Sequence, residues 1–518
     1  MSNIAINLER NAELLAEKVA IRFGDRSLTY AQLNAAANQV AGGLMSLGIG
    51  RGDKVALSCP NLPYFPIVYF GILKAGAVVV PINVLLKAPE IAYLLEDSDA
   101  KAFLCFEGTP ELPMGAEGHA GFAQAGTCPH FLMITADPAR PAAIDGVKTL
   151  GMLMHDQSPA GGAALVDPAD TALILYTSGT TGKPKGAELT HAGVGMNILG
   201  CHAFMQTTAS DVHLIVLPLF HSFGQVAQMN NAIMGGSTMV LLPRFDPDAV
   251  FAAMQAHGVT IFAGVPTMYI ALLNLAGAAE RYDMKAIAAR LRLGVSGGAA
   301  LPVEVIRRFE ERFGIAILEG YGLSETSPAA AFNMLEFERV PGSVGKAIWG
   351  TQVRVVDPEG NPVPTGQEGE IVIRGHNVMK GYYKRPEATA DAIKDGWFHS
   401  GDIGKLDDKG NIFIVDRLKD MIIRGGFNVY PREIEEVLMT HEAIAQAAVT
   451  GVPHATHGEE VKAVLVLKPG KTATREGIVA WAKERMAGYK YPRIVEIVEA
   501  LPMTATGKIL KRELKNNA

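Results

Sequence analysis

The sequence predicts an α/β protein: a large N-terminal domain of stacked α/β sheets with a small β-barrel-like subdomain, followed by a small α+β C-terminal domain. Three observations predict it. At 518 residues the chain exceeds what one hydrophobic core organises. Over residues 1 to about 165, short apolar runs alternate with stretches of helical spacing, the pattern of parallel strands covered by helices. From Gly342 the pattern turns to short strands with frequent turns, as at 352–356 and 369–375, before the last hundred residues return to mixed helices and strands.

The totals narrow the class. Hydrophobic residues at 48% with 19% charged are ordinary for a large α/β enzyme. A net charge of -6 supplies no basic field for nucleic acid. Cys59, Cys105, Cys128 and Cys201 lie far apart without a CxxC pair, which predicts neither zinc nor a disulfide framework. The first residues lack a basic stretch leading into an apolar one, so no signal peptide is expected. The most apolar window, 64–86, is broken by Pro66, Lys74, Gly76 and Pro81 and reads as a buried helix followed by a strand at 77–80. A cytoplasmic protein without a transmembrane segment is expected.

In chain order, residues 31–47 carry a helical pattern, and 54–57 form a short strand after the turn Gly50-Arg51-Gly52-Asp53. Residues 107–167, rich in Ala, Gly and Pro, read as surface connection. The apolar run 172–175 then leads into Tyr176-Thr177-Ser178-Gly179-Thr180-Thr181-Gly182-Lys183-Pro184-Lys185-Gly186, and a helix is expected to open near Thr190. Three glycines, four serine or threonine hydroxyls and two lysines make a phosphate cradle. It is not a Walker loop, because two residues separate Gly179 from Gly182 and a proline follows Lys183.

Residues 213–224 read as a strand ending in a turn that carries His221, which either lines a carboxylate pocket or is a satisfied structural histidine. Residues 264–268 and 293–299 read as strand-end loops, where ligands of open α/β sheets collect. In Gly320-Tyr321-Gly322-Leu323-Ser324-Glu325-Thr326 an aromatic ring between glycines can lie flat on a base, and Glu325 offers the hard oxygen that Mg²⁺ prefers beside phosphates. Asp402 and Arg417, a carboxylate and a guanidinium, either hold a vicinal diol or, taken singly, belong to surface ion pairs. Gly425-Gly426 and the final Thr506-Gly507-Lys508 turn complete the set, the turn aiming a lysine.

Taken together, these stretches resemble the adenylate-forming superfamily: acyl-CoA synthetases, firefly-type luciferases and the adenylation domains of peptide synthetases. The resemblance spans essentially the whole chain, with five motifs in the family's order: 176–186, 321–325, Gly401-Asp402, 416–426 and 502–508. It implies an adenylation domain at 1–418 that binds ATP and a carboxylic acid, and a mobile lid at 419–518. Thr177, Ser178, Gly179, Thr180, Thr181, Gly182, Lys183 and Lys185 would hold the β- and γ-phosphates, with Thr180 beside Glu325 at the Mg²⁺. Tyr321 would stack on adenine, Ser324 would meet the α-phosphate, and Asp402 and Arg417 would hold the ribose. The family more often has Thr where this chain has Ser324, a change that keeps the hydroxyl.

The resemblance makes Lys508 the catalytic lysine and Lys419 the hinge. Rotation there would present Gly425, Gly426 and Asn428 to the pantetheine arm of coenzyme A. Carried over by position, the acyl pocket comprises His221, Phe223, Gln225, Val226, Met229, Met268, Gly297, Gly298, Ala299 and Gly322. No basic residue lies between Gln225 and Pro243, which disfavours a dicarboxylate. Small residues at 297–299 are expected to leave depth for a medium- to long-chain fatty acid, with an aryl or cinnamate-type acid as the alternative. With ten residues after Lys508 a fused carrier domain is not expected, so a CoA ligase is favoured over a carrier-loading ligase, a luciferase-like oxidising enzyme or a non-catalytic nucleotide binder. A homodimer stays open.

Overall fold

The computed structural model describes residues 3–177, 183–454 and 456–515. Two large sheets and two smaller ones carry the chain. The eight-stranded sheet has a parallel centre, with Val78–Pro81 and Lys54–Ser58 side by side; toward one end Lys185–Thr190 pairs antiparallel with Thr171–Thr177 and with the edge strand Gly381–Tyr382. All four residues of Val78–Pro81 are buried, as a central strand covered on both faces requires. The helix Tyr64–Lys74 packs on this sheet and against the helix Tyr30–Ser46, which is opened by a capping box between Thr29 and Gln32.

The nine-stranded sheet is parallel through Thr238–Leu241, Val212–Ile215, Ile261–Gly264, Leu293–Ser296 and Ala316–Gly322. Its strands thus end together, at Ile215, Gly264, Ser296 and Gly322. An antiparallel five-stranded sheet follows, in which Trp397–Leu406 pairs with Ile412–Arg417. The last sheet, built on the hairpin Ile444–His454 with Gly458–Leu467, has a core cluster of its own around Ile434, Leu438 and Val461. No helix among the described residues is long and apolar enough to cross a membrane.

One expectation is corrected and another is filled in. Residues 107–167 are not mere surface connection. They contain the helices Met114–Ala125 and Leu150–Met154 and the strands His130–Ile134 and Lys148–Thr149, which extend the eight-stranded sheet with Phe131, Leu132, Met133 and Ile134 buried. Alanine and glycine concealed the helix: Gly115, Gly118 and Gly121 are buried on it, where a β-carbon would meet Glu107, Cys105 and Ile91. The strand before the phosphate loop and the helix opening at Thr190 are as expected, with one strand more between them. The loop joins the antiparallel strands Thr171–Thr177 and Lys185–Thr190, and only then does the helix His191–Met205 begin, with Thr190 as its N-cap.

Candidate active site

The turn carrying Lys508 sits over the strand ends of the nine-stranded sheet. Thr504 closes it: Gly507 N–H donates to the Thr504 carbonyl, Lys508 N–H to Thr504 Oγ1, and Thr504 N–H back to the Lys508 carbonyl. Gly507 supplies the left-handed residue the turn needs, at φ +77°. Thr267, next to the end of Ile261–Gly264, docks the turn by donating from Oγ1 to the Gly507 carbonyl at 3.0 Å. The lysine stem then lies along Gly298, where a β-carbon would be 3.1 Å from Lys508 Cε and 3.7 Å from Nζ. Burial, with the Arg417 guanidinium nearby, lowers Lys508 from the usual lysine range to about 8, while Asp402 and Glu325 oppose that shift.

Beside it, burial and the Lys508 charge hold His221 down at about 3. Its Nδ1 accepts the Phe223 N–H at 3.3 Å, which leaves the ring neutral with its proton on Nε2. A neutral N–H donor beside an ammonium suits an anionic oxygen.

Asp402 and Arg417 are cross-strand partners, so the sheet itself brings them together. Arg417 Nε lies 3.2 Å from Asp402 Oδ1, and the Tyr321 hydroxyl donates to Oδ2 at 2.7 Å. Asp402 is 4% exposed, and burial pushes its carboxyl up against the pull of Arg417. A carboxylate with one bond to each oxygen retains lone pairs for two further hydroxyls. Burial and Asp402 raise the Tyr321 phenol, which stays a donor.

Glu325 is buried in the short 3₁₀ turn Ser324–Thr326, with Ser324 half-buried at its start. Its Oε1 accepts from the Tyr382 hydroxyl at 2.9 Å and from Thr177 Oγ1 at 3.2 Å, and its Oε2 accepts from no described residue. Ser178, Gly179, Thr180, Thr181 and Gly182 lie outside the described residues. At the loop's exit, Lys183 Nζ stands 4.9 Å over the Tyr93 ring and Lys185 Nζ 5.2 Å over the Tyr382 ring. No group of three or more His, Cys, Asp or Glu among the described residues forms a metal cage. One carboxylate with an open oxygen fits Mg²⁺, which takes few protein ligands and completes its shell from phosphates and water.

The expected acyl wall is corrected at its small residues. Gly297 and Gly298 do not leave depth. A β-carbon at Gly297 would be 3.1 Å from Phe223 Cε1, so glycine there admits the phenyl ring, and glycine at 298 admits the lysine stem. Ala299 follows on the same loop, exposed at the surface. Gln225, Val226 and Met229 lie on the π-helix Phe223–Asn230 and are fully buried, as Met268 nearly is. At Gly322 a β-carbon would overlap the Pro328 carbonyl oxygen.

Gly425, Gly426 and Asn428 are not brought to Lys508. They form an exposed hairpin, with both glycines at positive φ (57° and 85°) as a two-residue turn between Arg424 and Phe427 demands. Lys419 lies between Ile412–Arg417 and Ile422–Arg424, exposed. Sequence reasoning missed Tyr382, Thr267 and Tyr93. The aromatic pair after Gly381 was a local signal, but nothing in its spacing tied residue 382 to 325 or 185.

Residues 8–383 match the model of the AMP-binding enzyme family, and residues 433–508 match that of the AMP-binding enzyme C-terminal domain. The chain is 38% identical over 507 residues to a feruloyl-CoA synthase from an Amycolatopsis species, covering 98% of this chain and 97% of that protein. It is 37% identical over 531 residues to a long-chain-fatty-acid–CoA ligase of Bacillus subtilis (strain 168), covering 98% and 93%. The solved structure of an anthranilate CoA ligase in complex with anthranoyl-AMP superposes with a TM-score of 0.90 at 30% identity, covering 99% of this chain and 96% of that one.

Proposed function

The chain belongs to the AMP-binding enzyme family, in its acyl-CoA synthetase branch, and on that premise we propose how its residues divide the work of an AMP-forming acid–CoA ligase that uses ATP, Mg²⁺ and coenzyme A. In the first step a carboxylate oxygen forms a bond to the α-phosphorus of ATP while the bond to the β-phosphate bridge breaks, releasing pyrophosphate. No general base is required, because the acid is already ionised at neutral pH. The obstacle is bringing two anions together. The Lys508 ammonium, its stem against Gly298 and its turn docked on Thr267 at the strand ends, within electrostatic reach of His221 and Asp402, offsets that repulsion as charge develops. This position is the observation that carries the proposal.

Tyr321, Asp402 and Arg417 would take the nucleoside, Ser324 the α-phosphate, and the loop from Thr177 to Lys185 the departing phosphates. Glu325 would hold Mg²⁺, which neutralises phosphate charge when bound. In the second step the CoA sulfur forms a bond to the acyl carbon and AMP leaves. Gly425, Gly426 and Asn428 would serve that step after the unit beginning at Lys419 turns, with 1–418 as the adenylating domain. Every group named comes from one chain. The four cysteines are free and buried, in keeping with a reducing, cytoplasmic setting.

The acid is an apolar monocarboxylate. The likeness to the feruloyl and anthranilate enzymes supports a flat, aryl or cinnamate-type acid, to which the Phe223 ring packed against Gly297 would offer an aromatic face. A medium- to long-chain fatty acid is the second reading, favoured by the apolar Val226, Met229 and Met268 and by the Bacillus relative. Carboxylate-dependent ATP–pyrophosphate exchange, screened across benzoates, cinnamates and fatty acids of increasing length, tests it. Exchange is expected with apolar monocarboxylates, cinnamates first. Exchange confined to dicarboxylates would overturn the reading.

A further inference from the structure

We propose that Tyr382 is the positioning residue for the metal-binding carboxylate: its hydroxyl and that of Thr177 together fix Glu325 Oε1 so that Oε2 alone is presented to Mg²⁺. The inference rests on the assignment of Glu325 as the Mg²⁺ ligand. Its observations are local. Both hydroxyls donate to the same oxygen, at 2.9 and 3.2 Å, from two different sheet strands, while the Met379 N–H donates to the Glu325 carbonyl at 2.8 Å. A carboxylate on one side chain otherwise rotates about its last bond. Two donors on one oxygen fix the direction of the other, as second-shell partners of metal ligands do.

Tyr382 is itself held rigidly. It belongs to the edge strand Gly381–Tyr382, paired with Lys185–Thr190 at Tyr382↔Ala187, and its N–H donates to Thr389 Oγ1 at 2.9 Å. The residues that follow pin the same segment to the helix Ala88–Asp97 and its exit: the Tyr383 hydroxyl donates to Asp99, and Arg385 pairs with buried Asp97, which also accepts from Tyr176. The Tyr382 ring meanwhile lies under the Lys185 ammonium. One side chain therefore touches the metal carboxylate through its oxygen and the exit of the phosphate loop through its face. The strand that leaves the loop and the turn that carries Glu325 are set relative to each other by this contact.

The test is Tyr382→Phe, which keeps the ring under Lys185 and the strand pairing but removes the donor. Mn²⁺ bound to the enzyme·ATP complex is read by electron paramagnetic resonance, and ATP binding is measured by calorimetry with and without Mg²⁺. Expected are a roughly tenfold weaker Mn²⁺ affinity in the ATP complex, unchanged metal-free ATP binding, and unchanged thioester formation from supplied acyl-adenylate and CoA. Unchanged Mn²⁺ affinity would overturn the proposal. So would equal losses of metal-free and metal-dependent ATP binding, since Tyr382 would then only hold the strand. Glu325→Gln separates the underlying assignment: if that variant binds Mn²⁺·ATP like the parent, Glu325 is not the ligand and both fall together, whereas a deficit in Glu325→Gln without one in Tyr382→Phe removes only the role of Tyr382.

Discussion

At the scale of single residues, the structure shows how the lysine proposed for adenylation reaches the strand ends. Lys508 reaches its place because Gly298 has no side chain to obstruct its stem, and it stays paired electrostatically with Asp402 and Glu325 while Arg417 and burial lower its proton affinity. Lys508→Ala is expected to reduce adenylate formation by about 10²–10³-fold, the usual cost of removing a preorganised charge from a transition state, while the conversion of supplied acyl-adenylate and CoA to thioester continues. Equal loss in both half-reactions would remove Lys508 from the first step. The sign of the pH dependence follows. The ammonium is the active form, so kcat/KM of the free enzyme for adenylation should hold below about 8 and fall as pH rises through it. His221, already neutral at any pH well above about 3, adds no step in that range. A rising profile through pH 8 would contradict the assignment. The candidate residues were legible in the sequence as motifs, since 321–325 and 506–508 are local strings. Tyr382 and Thr267 were not, because each acts on a residue far away in the chain.

At the scale of elements, close backbone approach decides the shape of the site. The strand Ala316–Gly322 ends where Gly322 faces the Pro328 carbonyl without room for a β-carbon. Gly322→Ala must therefore part the strand Ala316–Gly322 from Ala329–Phe332, its antiparallel partner. A loss of about 3 kcal/mol of stability in urea unfolding is expected, at the upper end for overpacking. A variant within 0.5 kcal/mol of the parent, the ordinary scatter of surface substitutions, would show that the turn yields freely. Element existence was readable where periodicity is strong, as for Tyr30–Ser46 and Lys54–Ser58. It failed over 107–167, where glycines that serve helix packing look like turn residues, and after the phosphate loop, where six residues of strand precede the helix.

For the whole molecule, the proposed division of labour would depend on the orientation of the C-terminal unit. Here its last turn is docked at Thr267 and Gly298, while the Gly425–Gly426 hairpin stays exposed elsewhere. Leu418 N–H donates to Gly401 and Asp420 N–H to Arg417, so the chain is held on both sides of Lys419. Lys419→Pro fixes one torsion at this point and is expected to retain adenylate formation within a few-fold while slowing thioester formation at least tenfold, measured as separate half-reactions. Full thioester activity would place the pivot elsewhere. By itself the sequence determined the chemistry: local strings with hydroxyls, glycines, an aromatic ring, a carboxylate and a terminal lysine, in an order that identified the family, because residue type and short spacing are what motifs record. Only the tertiary structure decided which of these groups meet. The pairing of Asp402 with Arg417, the two hydroxyls on Glu325, the use of Gly297 and Gly298 to admit a ring and a lysine stem rather than leave space, and the separation of the Gly425–Gly426 hairpin from Lys508 all arise from strand register and packing between distant segments, which no local spacing encodes.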